Sequence, residues 1–240
     1  MPNPSADRVI CSFQGVNFLT RQEIQALTGL SRVTVSQSVQ ELLADGVLVE
    51  ANSLPSSGGR KASSLAINPS HGFIAIAYFS ATSLSIAVAN LAGEIIKIKT
   101  AEVKIELGPE IALPLAVDSL IELLKGISKS KLLGIVIGVP GPVDHLNGTV
   151  INPPIMKGWD GINIVNFFER KFKVKVFLEN EVNLMAIAEH RMIYPEIENL
   201  MLVKMSTGIG SGLIINNKLF RGAQGSAGDI GHIQIDALKD

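Results

Sequence analysis

The chain is 240 residues long, 47% hydrophobic and 18% charged, with 21 basic residues against 22 acidic ones. This composition suits one or two soluble globular domains with a real core, and the net charge of −1 excludes broad charge-driven binding to nucleic acid or anionic membrane, though not a local basic patch. Cys11 is the single cysteine, so the chain offers no intrachain disulfide and no multi-cysteine zinc site, and without a secretory pattern or a bilayer-length apolar run a reducing cytoplasm is the default location.

Residues 8–69 break into short helical units followed by a hairpin. Thr20-Arg-Gln-Glu23 is a capping-box pattern, with Ile24 and Leu27 expected on the buried face of the helix it opens. Gly29 permits a sharp turn, Ser31 is a candidate N-cap, and Val35, Val39, Leu42 and Leu43 recur at helical spacing in the next helix up to Gly46. Its opposite face is read as Arg32, Thr34, Ser36, Gln37 and Ser38, short polar groups beside Arg and Gln that suit base edges in a major groove. The alternative for these two helices is an ordinary helical hairpin with a solvated face. Val47–Glu50 and Ser64–Ile67 read as paired strands, and the intervening SLPSSGGRK tip groups Arg60 and Lys61 as a β-wing would for phosphate or minor-groove contact. The region therefore reads as a winged helix-turn-helix. Gln25 departs from the small residue usual at its position.

After Asn68-Pro69-Ser70 the periodicity changes, placing a domain boundary between residues 69 and 70. Residues 72–79, 84–91 and 94–100 are strand-like, 109–126 is a helix pattern whose start Pro114 could shift, and 132–139 is an apolar strand ending in Pro140-Gly141-Pro142. Strand 149–151, helix 164–172, strand 175–178, helix 182–191 and strand 200–205 follow, which indicates an α/β domain with a mixed sheet. Polar residues collect past the strand ends: Asn152, then Glu179, Asn180 and Glu181, then Asp229 and His232, a set able to bind a neutral polyol. Helix N-terminal capping is the competing account of Glu181, and a satisfied strand histidine that of His232.

Residues 204–233 hold seven of the 22 glycines, in two clusters. Gly208, Gly210 and Gly212 follow a strand, as in loops wrapped round a phosphate or sugar, and a glycine-rich hairpin is the other reading. The second cluster leads into Asp229 and His232.

The stretches TRQEIQALTGLSRVTVSQSVQELLADG, SSGGRK, GVPGPVD, LENEVNLMAIAE and STGIGSGLIINNKLFRGAQGSAGDIGH together resemble the ROK family of bacterial sugar-responsive repressors, open reading frames and sugar kinases. The likeness runs from about Arg8 to Asp240, and Asn180-Glu181-Val182-Asn183 resembles its xylose-type repressors. The resemblance implies an actin-like, sugar-kinase-like (ribonuclease-H-like) lobe pair behind a winged helix. It implies a homodimer or higher homo-oligomer bound to operator DNA through Arg32, Thr34, Ser36, Gln37, Arg60 and Lys61. A sugar or phosphosugar effector would meet Asn152, Asn180, Glu181, Asp229 and His232, with Gly208, Gly210 and Gly212 as a phosphate-loop remnant and no membrane partner. An ATP-dependent sugar kinase is the alternative. Against it, Tyr78-Phe79-Ser80-Ala81-Thr82 replaces the kinases' Asp-Gly-Gly-Thr loop, removing the metal-handling Asp and the glycines that turn amides toward phosphate. Glu181 stands where the kinases carry the catalytic Asp, and Asp229 where the family carries Glu, each changed by one methylene; no catalytic residue is expected. The family's zinc motif would need cysteines that follow His232 only in a longer chain, so no metal or other cofactor is expected here, and the second lobe is expected to be incomplete.

Overall fold

Asn3 opens the first helix, its Oδ1 accepting from the amides of Ser5 and Ala6, and α1 runs Pro4–Ser12. The computed structural model to which this helix belongs describes residues 3–51, 63–223 and 225–232, with His232 given by its backbone alone. The Thr20–Glu23 capping box is formed: the Thr20 hydroxyl accepts from the Glu23 amide, and Glu23 Oε2 accepts from the Thr20 amide at 2.7 Å. It starts α2 (Arg21–Thr28), which Gly29 ends in left-handed backbone at φ 65°. Ser31 caps α3 (Arg32–Ala44) by accepting from Thr34 N, and β1 (Leu48–Ala51) pairs antiparallel with β2 (Ser64–Ile67). Val9, Ile24, Val35, Val39, Leu48 and Leu65 form the centre of the core that joins these elements.

Two side chains differ from their expected faces. Leu27 is 61% exposed, and Thr28 takes the inner position one full turn after Ile24, its hydroxyl satisfied by donation to the Ile24 carbonyl at 2.6 Å. Ser38 is buried, because it falls between Val35 and Val39 on the inward stripe; the outward face of α3 is narrower than a polar/apolar count suggests.

The described residues divide into two compact units, the first reaching Phe73 with Asn90–Glu94 added, the second formed by Ile74–Ala89 and the residues from Ile95 onward. The second is built on a five-stranded sheet in the order β5-β4-β3-β6-β9: β3 (Phe73–Phe79), β4 (Ser83–Asn90), β5 (Ile95–Glu102), β6 (Leu132–Val139) and β9 (Lys175–Asn180). The pair β4–β5 is antiparallel and β6–β9 parallel, so the sheet is mixed. The α4 helix (Pro109–Leu123) starts at Pro109 and continues through Pro114; it and α5 (Ile164–Phe172) bury their apolar residues against the sheet. A small hairpin, β7 (Val143–Asp144) with β8 (Thr149–Val150), follows the proline turn. Trp159 is fully buried, donating its indole N–H to the Ile105 carbonyl and meeting Phe79 edge to face.

The α6 helix (Glu181–Met192) leaves β9 directly and packs on a second, antiparallel sheet of β10 (Leu200–Met205), β11 (Ile209–Ile215) and β12 (Lys218–Phe220). Asn216 and Asn217, at φ 50° and 61°, supply the two left-handed residues of the tight β11–β12 turn. No helix among the described residues is long and apolar enough to cross a membrane.

Candidate functional site

On the outward side of α3, Arg32 and Gln37 are exposed and Ser36 half-buried, all within its first two turns. Thr34 is also half-buried, and its hydroxyl shares a hydrogen bond with the capping Ser31 hydroxyl at 2.8 Å. Arg60 and Lys61 lie outside the described residues.

In the second unit a cavity of about 290 Å³ opens at the end of β9, between the proline turn, the N-terminus of α6, the β10–β11 hairpin tip and the loop Gly225–Gly231. It brings together Asn180, Glu181, Asp229, Gly208 and Gly210 of the expected set, from three separate stretches of chain. Asn152 lies outside the wall, in left-handed backbone at φ 39° with its amide donated to Asp160; Pro154 and Ile155 of the same loop line the cavity instead. The turn Ile230–His232 places Gly231 in the wall, and the His232 side chain is outside the described residues.

Asn180, rather than Glu181, caps α6: its Oδ1 accepts from the amides of Val182 and Asn183, and its Nδ2 donates to the Gly141 carbonyl at 2.9 Å. The Glu181 carboxylate is thereby released from capping and turned to other partners. It is 4% exposed; Oε2 accepts from the Tyr78 hydroxyl at 2.9 Å and Oε1 is ion-paired with Lys204. Burial, then the hydrogen bond to Glu181, pushes the Tyr78 hydroxyl's pKa well above its ordinary value, so it is a fixed donor. A base for phosphoryl transfer must accept a proton from the substrate hydroxyl; here the carboxylate is already held between an ammonium and a phenol. Next to it, Glu179 accepts from the Asn180 amide, Asn183 Nδ2 and the Arg221 guanidinium at 2.8–2.9 Å, with His145 Nε2 3.6 Å away. Two buried glutamates, each with its own cation, thus stand at the β9–α6 junction, and of the two Glu181 lines the cavity.

The glycines divide by role. Gly208 sits at the hairpin tip with nothing within 4 Å of the position of a Cβ. Gly212 is absent from the wall: a Cβ there would lie 2.6 Å from Ala186 Cβ and 2.7 Å from the Val182 carbonyl, so its bareness lets β11 pack on α6. Gly225, Gly228 and Gly231 likewise lay the final loop against the carbonyls of Val143, Ser211 and Ile209.

Lys204, Arg221 and the donor role of Tyr78 escape a reading of the sequence. Lys204 left a trace, since it shares strand parity with the inward Leu200 and Leu202 while Met201, Val203 and Met205 face out. Arg221 lies 42 residues from Glu179 and left none. Among the described residues no three His, Cys, Asp or Glu side chains are grouped to hold a metal, and Cys11 is exposed on α1.

A family model described as the ROK family matches residues 79–240. The chain is 33% identical over 225 residues to the xylose repressor of Caldicellulosiruptor bescii, covering 92% of this chain and 56% of that protein. A crystal structure of a ROK family transcriptional regulator, homolog of the E. coli MLC protein, aligns at TM-score 0.76 over 97% of this chain and 61% of that one; at 19% identity this is a likeness of fold. A ROK family glucokinase from Streptomyces griseus, solved with glucose and AMPPNP, aligns at TM-score 0.57 and 26% identity over 68% of this chain and 51% of its own. The chain spans little more than half of these relatives. It belongs to the ROK family and has that family's α/β, actin-like sugar-kinase fold.

Proposed function

We propose that this chain is the operator-binding and effector-sensing part of a sugar-responsive transcriptional repressor, and not an enzyme. The observation that carries the proposal is the clamp on Glu181: the carboxylate at the family's base position is held by Tyr78 and Lys204, in a chain that also bears the α1–α3 and β1–β2 unit. In this reading residues 1–69 are a winged helix-turn-helix, with α3 as recognition helix and the segment between β1 and β2 as wing. Arg32, Ser36 and Gln37 read base edges, Thr34 steadies the helix start, and Arg60 and Lys61 meet phosphates. Residues 70–240 hold the sugar at Asn180, Glu181 and Asp229, with Asn152 and His232 at the margin. A homodimer sets two recognition helices on a pseudo-palindrome, and the sugar acts through unequal affinity for two arrangements of that dimer. The xylose repressor relative supports a carbohydrate effector.

The test is selection of bound duplexes from a random-sequence DNA pool, followed by gel-shift titration at several salt concentrations. An Arg60→Ala, Lys61→Ala variant is expected to lose affinity across all sequences, with a salt slope shallower by about 0.9 per phosphate contact removed. Recovery of no preferred sequence overturns the proposal; unchanged slope and affinity remove the wing from it.

A further inference from the structure

Charge bears on which ligands the cavity can hold. Among the described wall residues the charged groups are Glu181, Asp229 and Lys204, a net charge of −1. Lys204, the one cation of that set, is paired with Glu181, whose side chain is 6% exposed against 21% for Lys204. The other feature that would attract an anion is the N-terminus of α6, which forms part of the wall. That terminus is already occupied. Asn180 Oδ1 takes the amides of Val182 and Asn183, and Glu181, the first helical residue, brings its own negative charge to the positive end of the helix. Around the glycine clusters the amides of Ser206 and Ser211 are given to the carbonyls of Gly208 and Gly228. Phosphate, carrying about −1.5 to −2 charges at neutral pH, would meet a carboxylate where a phosphate loop offers bare amides.

We infer, on the reading that this cavity senses a sugar, that it takes an uncharged polyhydroxy ligand of monosaccharide size and rejects the phosphorylated form, with Glu181 as the specificity-determining residue. The volume of about 290 Å³ is at the lower end of small-ligand pockets. The carboxylates of Glu181 and Asp229 accept from ligand hydroxyls, and the Thr207 hydroxyl and the remaining Lys204 hydrogens donate to ligand oxygens. Glu181 acts twice: it binds a hydroxyl and it withholds Lys204 and the helix terminus from an anion.

The experiment is calorimetric and thermal-shift titration of the chain with D-xylose, D-glucose and N-acetyl-D-glucosamine, each beside its terminal phosphate ester. At least one free sugar is expected to bind about tenfold or more tightly than its ester, because like charges meet in a desolvated site. Glu181→Gln frees Lys204 and is expected to reverse or erase that ratio. Asp229→Asn, at an exposed position that leaves the buried pair intact, is expected to narrow it. A wild type that prefers the ester, or a ratio unmoved in both variants, overturns this inference and leaves sugar sensing standing. No response to either class overturns sugar sensing itself and this inference with it.

Discussion

Gly208 and Gly212 belong to one sequence motif, and replacing each by alanine separates their roles. At Gly212 a new Cβ would meet Ala186 Cβ at 2.6 Å and the Val182 carbonyl oxygen at 2.7 Å. Carbon atoms settle at about 3.5–4.0 Å, so α6 must back away from β11 by roughly 1 Å. Both obstacles are on α6, and one is backbone, so no rotamer change relieves the clash. Overpacking of this kind costs about 1–3 kcal/mol, and the upper half of that range applies where backbone has to move. At about 2–4 °C per kcal/mol for a domain of this size, Gly212→Ala should lower the melting temperature by roughly 4–12 °C. Trp159 is the chain's single tryptophan and is buried in the second unit, so its fluorescence reports the unfolding of that unit. Gly208→Ala has nothing within 4 Å and should leave the melting temperature within about 2 °C of wild type. Adding Ala186→Gly to Gly212→Ala removes the nearer contact and leaves the Val182 carbonyl, so rescue should be partial. Equal shifts for Gly208→Ala and Gly212→Ala would refute the packing account and return both glycines to a ligand loop.

Lys204→Met leaves Glu181 buried with Tyr78 as its remaining side-chain partner, and denaturant titration should show a loss of about 2–3 kcal/mol, below the 3–5 kcal/mol of a fully buried pair because Lys204 is partly exposed. The double variant with Glu181→Leu should recover much of it; strict additivity would mean the pair is not coupled. At the other end of the chain, bonds from Thr20, its backbone amide first and its hydroxyl second, hold the Glu23 carboxyl below its ordinary pKa. A depressed carboxylate stabilises above its unfolded pKa and loses that contribution as pH falls through the folded value. Glu23→Gln should therefore be less stable than wild type at pH 7, with the difference closing below about pH 4.5; a gap constant from pH 7 to pH 3 would show that charge is not involved.

Much of the fold was legible in the sequence because local rules govern it. The capping box at Thr20, the Ser31 cap, the turn at Gly29, the alternation of β3 and β4 and the apolar run of β6 each depend on residues only a few positions apart. The same locality explains why Asn180 and Glu181 could be placed at a strand-to-helix junction, and why their division of labour could not: either side chain can cap a helix, and the Gly141 carbonyl settles the matter from 39 residues away. Leu27 and Ser38 lie on faces other than their residue types predict, because one turn of helix tolerates a polar group inside when its hydroxyl or its position on the stripe allows it.

What the chain's order of residues determined by itself was most of the helices and strands, the caps at Thr20 and Ser31, and the family the chain belongs to. What only the tertiary structure decided was charge pairing. Lys204 meets Glu181, and Arg221 meets Glu179, across separations of 23 and 42 residues. Such pairs form only once two sheets and α6 have packed, since Coulomb attraction depends on distance in space and carries no periodic signature along the chain. Those two contacts give each glutamate at the β9–α6 junction a cation, and the pair of Glu181 with Lys204 lies in the cavity wall.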